Sequence, residues 1–550
     1  MATRREFHKG VLAAAFAAIA RPVSASNSPT NTARLFLNRL TFGASPQDLE
    51  RFEAMSLTGW LDEQLTKPAE DQALIDRLAR AQLLIEYEDG ATGEGVPWTA
   101  LSEMRPYQYL NEDPKNLLKF LDFSQGIAWQ ERVRPTKEVI SASSMRAVHA
   151  EAQLREVITQ FWHEHFSVNA LKDESTAIFF PQYDRSLRAN ALGNFRELLG
   201  IVAKSPVMLS YLNNDASRAS PANENYAREL LELHTLGAMH YFNDLYDDWK
   251  AVPGATEGQA EGYIDQDVYE VARAFTGWSI GDGRWVDEGS YAPKSGQFEY
   301  FENWHDPYQK RILGIEFRPN AAKMEDGERV LDILSTHPGT AKFVTGKLLK
   351  RLGIEMPSEG YHREIADVFL NQASAPDQIA KVVRAIVLHP EFAATPASKL
   401  KRPYEFLIGM YRATGADLAS PRYNVHWWLE RTGWTQHQVR PPTGHSDASV
   451  DWANTRAING MVDLAVYGHD DWFEVGNLDL SIAHNGATTW LELAEFWALR
   501  FGVDESQTRP IIAAMEETPD NPLPEDPDYL MWANKTAITL SALTSEFLFR

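Results

Sequence analysis

The chain has 550 residues, a formal net charge of −23, 44 % hydrophobic and 23 % charged residues, and no cysteine. Such a balance supports a sizeable core and argues against nucleic-acid binding by the protein as a whole, because phosphate neutralisation needs a Lys/Arg surplus. It also excludes disulfides, cysteine nucleophiles and Cys-ligated metal centres. Beyond residue 25 no apolar run approaches the ~18 residues that span a bilayer, so no transmembrane helix is expected.

The N-terminus reads as an address. Arg4-Arg5-Glu6-Phe7-His8-Lys9 is followed by an apolar stretch from Gly10 to Ala20 and small residues up to Ala25. This is the layout of a signal peptide, residues 1–25, and the arginine pair resembles a twin-arginine export signal. The expectation is engagement of the twin-arginine export machinery, cleavage near Ala25, and a periplasmic or cell-surface destination.

Residues 26–550 read as a single large, mainly α-helical body. Apolar residues recur at spacings of three and four over Ala33 to Leu40, Pro46 to Leu65, Asp71 to Tyr87, Glu151 to Phe166, Leu187 to Ala203, Pro221 to Thr235 and Gln266 to Thr276. They do so again in Gly327 to Leu334, Gly339 to Leu352, Gly360 to Gln372, Pro376 to Leu388, Pro403 to Thr414, Thr455 to Val466, Ala487 to Phe501 and Leu530 to Phe549. Gly283 to Tyr300, rich in Gly and aromatics, is the best candidate for a small β-hairpin. Acidic, Gly/Pro-bearing stretches at 89–97, 244–267 and 504–528 read as surface insertions on the helical body.

Three places carry candidate chemistry. His163 and His165 in Phe161-Trp162-His163-Glu164-His165-Phe166 stand about 200° apart on a regular helix and there cannot share one metal ion. His165 continues the apolar stripe of Leu154, Ile158 and Phe161, which favours a core-facing ring with a hydrogen-bond partner. Ser220 to Gly237 reads as a capped helix with Glu224, Arg228, Glu229 and Glu232 on one side. That side is either a solvated face or a carboxylate cluster for a metal or for acid/base work. His305-Asp306 sits in a turn, as a ligand or acid/base pair or as a local cap. His337 to Lys347 lacks phosphate-loop spacing, and no Gly-x-Ser-x-Gly elbow or Gly-x-Gly-x-x-Gly fingerprint occurs.

These segments, taken in order, resemble a bacterial family named for domain of unknown function 1800. The matching pieces are Leu37 to Gly43, Phe161 to Phe166, Asn223 to Leu233, Ala274 to Trp278 and His305-Asp306. The helix from His337-Pro338, His389 to Phe392, Lys401 to Phe406 and Pro441 to Gly444 complete the series. The sequence departs from the family pattern at Glu164 (often Asn), His234 (often Phe) and His445-Ser446 (often Trp-Pro). The resemblance implies a helical, exported protein and, as a possible partner, an exported protein of sulfatase/alkaline-phosphatase type. It supplies no reaction. Two readings stay open. One is a hydrolase-like or metal-binding enzyme, with a possible divalent metal, built on His163, His165, Glu224, Arg228, Glu229, Glu232, His305 and Asp306. The other is a non-enzymatic envelope protein that binds or assembles with such a partner.

Overall fold

A computed structural model describes residues 29–419, 423–468, 477–504, 506 and 508–550; the leader expected at 1–25 lies outside them. Among the described residues the protein is mainly α-helical, with five two-stranded antiparallel sheets and no larger one. One large apolar cluster runs from Ala33 to Leu548, and a small second one gathers Val286, Ala292 and Trp304. No helix among the described residues is long and apolar enough to cross a membrane.

Two helices form the centre. Arg134–His149 and Gln153–His165 are buried nearly all round. The first buries Arg134, Glu138 and Arg146 and the second Gln153, Glu156, Gln160, His163, Glu164 and His165, so these polar groups must find partners inside the protein. Trp162 is fully buried, stacks on Phe166 and donates from Nε1 to the Ala191 carbonyl at 2.9 Å. Trp434 and Trp452 are also core residues, whereas Trp427 is 42 % exposed.

Two helical readings are corrected. Asp71 to Tyr87 is not one helix: Asp71 caps a helix over Gln72–Arg80, and Gln82–Tyr87 is a strand paired with Leu101–Pro106. Only Ile85 of that strand is buried. The segment from Pro221 starts its helix later, at Glu224. Asn223 is the cap; its side chain accepts from the Asn225 amide and donates to the Leu212 carbonyl at 2.8 Å. The hairpin expected within 283–300 is present, as Trp278–Asp282 pairs with Lys294–Tyr300 around an inner Trp285–Asp287/Ser290–Tyr291 pair.

The acidic stretches divide their residues by polarity. Residues 89–97 carry a small hairpin, Gly90–Ala91 with Pro97–Trp98. In 244–267, Asp244, Asp247 and Asp248 face solvent while Val252, Tyr263 and Ile264 enter the core. In 504–528, Ile511 and Ile512 anchor a helix over Thr508–Ala514.

Candidate functional site

The buried polar groups of the two central helices join into a seam. His163 donates from Nε2 to Asp184 Oδ1 at 3.0 Å, and the same oxygen accepts from Arg188 at 3.0 Å. Arg188 also pairs with Glu156, and Arg146 lies 3.6 Å from the other Asp184 oxygen. Burial alone would raise the Asp184 carboxyl, but Arg188, the His163 bond and Arg146 hold it well below the usual carboxylate range. Asp184 therefore fixes the His163 ring. The rings of His163 and His437 are 4.4 Å apart, and His437 Nε2 lies 3.2 Å from both Ser143 Oγ and Gln436 Nε2. Burial, and then His163, keep His437 neutral. A cleft with room for about one water-sized molecule opens here, lined by Ser143, Thr159, Gln160, His163, Arg188 and Tyr404.

Amides carry the seam onward. Gln436 donates to Gln160 at 3.0 Å, and Gln160 donates to Glu164 at 2.6 Å. The other Glu164 oxygen accepts from the His445 amide at 3.1 Å and lies 3.9 Å from Arg402. Gly444, with φ +72°, packs against the Glu164 carbonyl so closely that a Cβ there would sit 2.3 Å from it. Beyond Glu164, Arg402 and Arg550 donate to Glu405, while Arg351 and Lys399 pair with Asp447. Burial would raise Glu405 and Asp447, but these cations hold both carboxyls low.

The Glu224 stripe lies at a helix that changes pitch. The α-helix Glu224–Glu229 passes into a π-helical turn over Leu230–Thr235, closed by the Leu236 amide on the Leu231 carbonyl at 2.9 Å. The Thr235 hydroxyl donates to the Leu230 carbonyl at 2.7 Å. Such turns occur frequently at functional sites. Gly237 ends the turn at φ +87°, against the Phe343 ring at a distance that a Cβ would reduce to 2.7 Å. Glu224 is exposed; Arg228, Glu229 and Glu232 are half-buried. Arg228 pairs with Asp265 at 3.3 Å, and Tyr241 donates to the same oxygen at 2.8 Å. No hydrogen bond or ion pair reaches Glu229 or Glu232 among the described residues. Burial and the Glu232 charge push the Glu229 carboxyl up to about 7 against Arg228.

The remaining candidates are bonded elsewhere. His165 is buried and donates from Nε2 to the His234 carbonyl at 3.1 Å, as a core-facing ring with a partner should. Through this carbonyl it reaches the π-helical turn without touching its carboxylates. His305 bonds through Nδ1 to Thr276 at 3.0 Å and lies 3.4 Å from Asp326 through Nε2. Asp306 is clamped by both arms of Arg273 at 2.7 and 3.0 Å. The structure thus ties His163, His165, Arg228, His305 and Asp306 to separate partners, and no side-chain hydrogen bond reaches Glu224, Glu229 or Glu232 among the described residues. Among the described residues no three His, Asp or Glu side chains are placed to hold a metal ion.

The sequence reading missed Asp184, His437, Arg351, Lys399, Arg402, Glu405 and Asp447. Lys401 to Phe406 and Pro441 to Gly444 carried a signal, since both segments flank residues that meet at Glu164. Asp184 carried none: it lies mid-helix in Glu174–Asn190, and only packing reveals its partners. No curated protein and no solved structure matches the chain. Residues 35–548 match the family described as "Protein of unknown function (DUF1800)", and with that span covered the chain belongs to this family.

Proposed function

We propose that this is an exported enzyme that works by acid/base chemistry, in hydrolysis, with the Glu229–Glu232 pair as its proton-handling centre. The observation that carries the reading is the pair itself: two half-buried carboxylates where an α-helix passes into a π-helical turn, with no hydrogen bond or ion pair among the described residues. Two such groups in unequal surroundings divide the roles. Glu229 retains a proton near neutral pH and serves as the acid. Glu232 serves as the base, and Arg228, held by Asp265, neutralises part of the charge. Export rests on Arg4-Arg5 and the apolar stretch that follows them.

Mature protein assayed on chromogenic esters, glycosides, phosphates and sulfates should turn over one class, with a pH–rate break near 7. Glu229→Gln should abolish that turnover while still unfolding in one cooperative thermal transition. Turnover unaffected by Glu229→Gln, or absent on every class, would overturn the reading.

The mutual pairing of His305 with Asp326 and of Asp306 with Arg273 favours a second reading for that face. There the same folded surface binds an exported partner of sulfatase/alkaline-phosphatase type. Co-purification of that partner from the envelope, with no turnover by the isolated chain, would select it.

A further inference from the structure

The hydrogen bonds beside the cleft fix where the protons lie. An indole nitrogen only donates, so the bond from Trp434 Nε1 at 3.0 Å marks the oxygen end of the Gln436 amide. The nitrogen end then donates to Gln160 Oε1 at 3.0 Å and to His437 Nε2 at 3.2 Å. His437 Nε2 therefore carries a lone pair and no proton. The Ser143 hydroxyl, 3.2 Å away, donates to that lone pair and has no other hydrogen-bond partner among the described residues. A serine hydroxyl on a neutral imidazole nitrogen is the arrangement that activates a nucleophile.

The ring is held for this contact. The His437 backbone stands in the left-handed region at φ +57°, which a non-glycine residue keeps only where its surroundings enforce it. The Ala170 amide bonds the His437 carbonyl at 2.9 Å, and the ring packs on those of Phe180 and His163. Ser143, Thr159 and Arg188 line the cleft together. Thr159 Oγ1 and Arg188 Nε are buried there without a hydrogen-bond partner. Buried polar atoms are rarely left so, and these two donors suit an oxygen in the cleft. Room for about one water-sized molecule accepts a carbonyl oxygen with a short acyl group and refuses a long chain.

We infer that Ser143 is a nucleophile, with His437 as its base, that takes the acyl group of a short-chain ester of the acetyl class. The Ser143 oxygen attacks the carbonyl carbon and a C–O bond forms, while the hydroxyl proton passes to His437 Nε2. The carbonyl oxygen takes the negative charge, which Thr159 and Arg188 stabilise. The bond to the alkoxy oxygen then breaks, and that oxygen leaves with the His437 proton as an alcohol. Water repeats the sequence on the acylated Ser143, which releases the acid and restores the hydroxyl. No oxidant or reductant is consumed. The site shares no residue with the Glu229 pair, and its adduct is read as a peptide mass, so its test is independent of turnover there.

The first probe is methanesulfonyl fluoride, applied to the folded mature protein and read by peptide mass spectrometry. Ser143 should be sulfonylated at least about a hundredfold faster than the exposed Ser290, the range a positioned general base supplies. His437→Asn, whose side chain tolerates the left-handed backbone, should bring Ser143 down to the Ser290 rate. If that variant fails to fold, the Ser143 to Ser290 ratio in the native protein, and its loss in urea, decide. The second probe is p-nitrophenyl acetate against p-nitrophenyl octanoate. The acetate should give a burst of nitrophenolate that Ser143→Ala lacks, and the octanoate none. Equal rates at Ser143 and Ser290 in the folded protein would overturn the inference, and equal bursts from the two esters would overturn the acyl class.

Discussion

Asp184→Asn removes one negative charge from the middle of the seam while keeping the shape of the side chain. In the native protein that carboxylate meets Arg188 and His163 at 3.0 Å and Arg146 at 3.6 Å, all of them buried. Breaking a buried ion pair costs about 3–5 kcal/mol. Two features place this case at the lower end, about 3 kcal/mol by the same standard. Arg188 keeps Glu156, and Arg146 keeps Glu70 at 2.7 Å. The cost must also depend on pH. The folded carboxyl lies below its unfolded value of about 3.9, so the folded state binds fewer protons there. Its contribution is fully present above about pH 4 and is lost as pH falls through the folded pKa. Guanidinium unfolding followed by tryptophan fluorescence at pH 7 and in steps below pH 4 should show a gap between variant and native protein that closes with acid. A gap under about 1 kcal/mol at pH 7, as for a solvent-exposed pair, would refute the reasoning, as would a gap that does not change with pH.

Trp162→Ala should destabilise by about 3–5 kcal/mol in the same assay, since the ring is fully buried and its loss also leaves the Ala191 carbonyl without a donor. Arg228→Leu should cost no more than ~1 kcal/mol, because the side chain is 35 % exposed and its ion pair to Asp265 is long, at 3.3 Å. Glu229→Gln should gain on the native protein in stability between about pH 4.3 and 7: the native Glu229 carboxyl is raised, so its folded state holds the extra proton and loses that advantage as pH climbs. Thermal melts across that range would show parallel curves if Glu229 is unperturbed. Replacing Arg4 and Arg5 with Lys should strand precursor in the cytoplasm, while exported native protein should begin at Ser26 by N-terminal sequencing.

The helical class was written in the sequence because each helix must bury a stripe, and residues three and four apart mark that stripe whatever the neighbours are. The burial of Trp162 follows from the same local rule. His165 as a core ring was legible for the same reason. The π-helical turn was not, because Leu230 to Thr235 has an ordinary helical pattern with nothing to mark a wider pitch. Nor were the partners of the charged residues. Asp184 finds His163 across 21 residues, and Glu164 finds the His445 amide across 281. Which carboxylate receives which cation is settled by long-range contact in a low-dielectric interior, where an unpaired charge is too costly to leave. Sequence spacing determined that Glu224, Arg228, Glu229 and Glu232 share a helix face. Only the tertiary structure decided that Arg228 turns to Asp265, that no side-chain hydrogen bond reaches Glu229 or Glu232 among the described residues, and that His305 and Asp306 are tied to Asp326 and Arg273 instead.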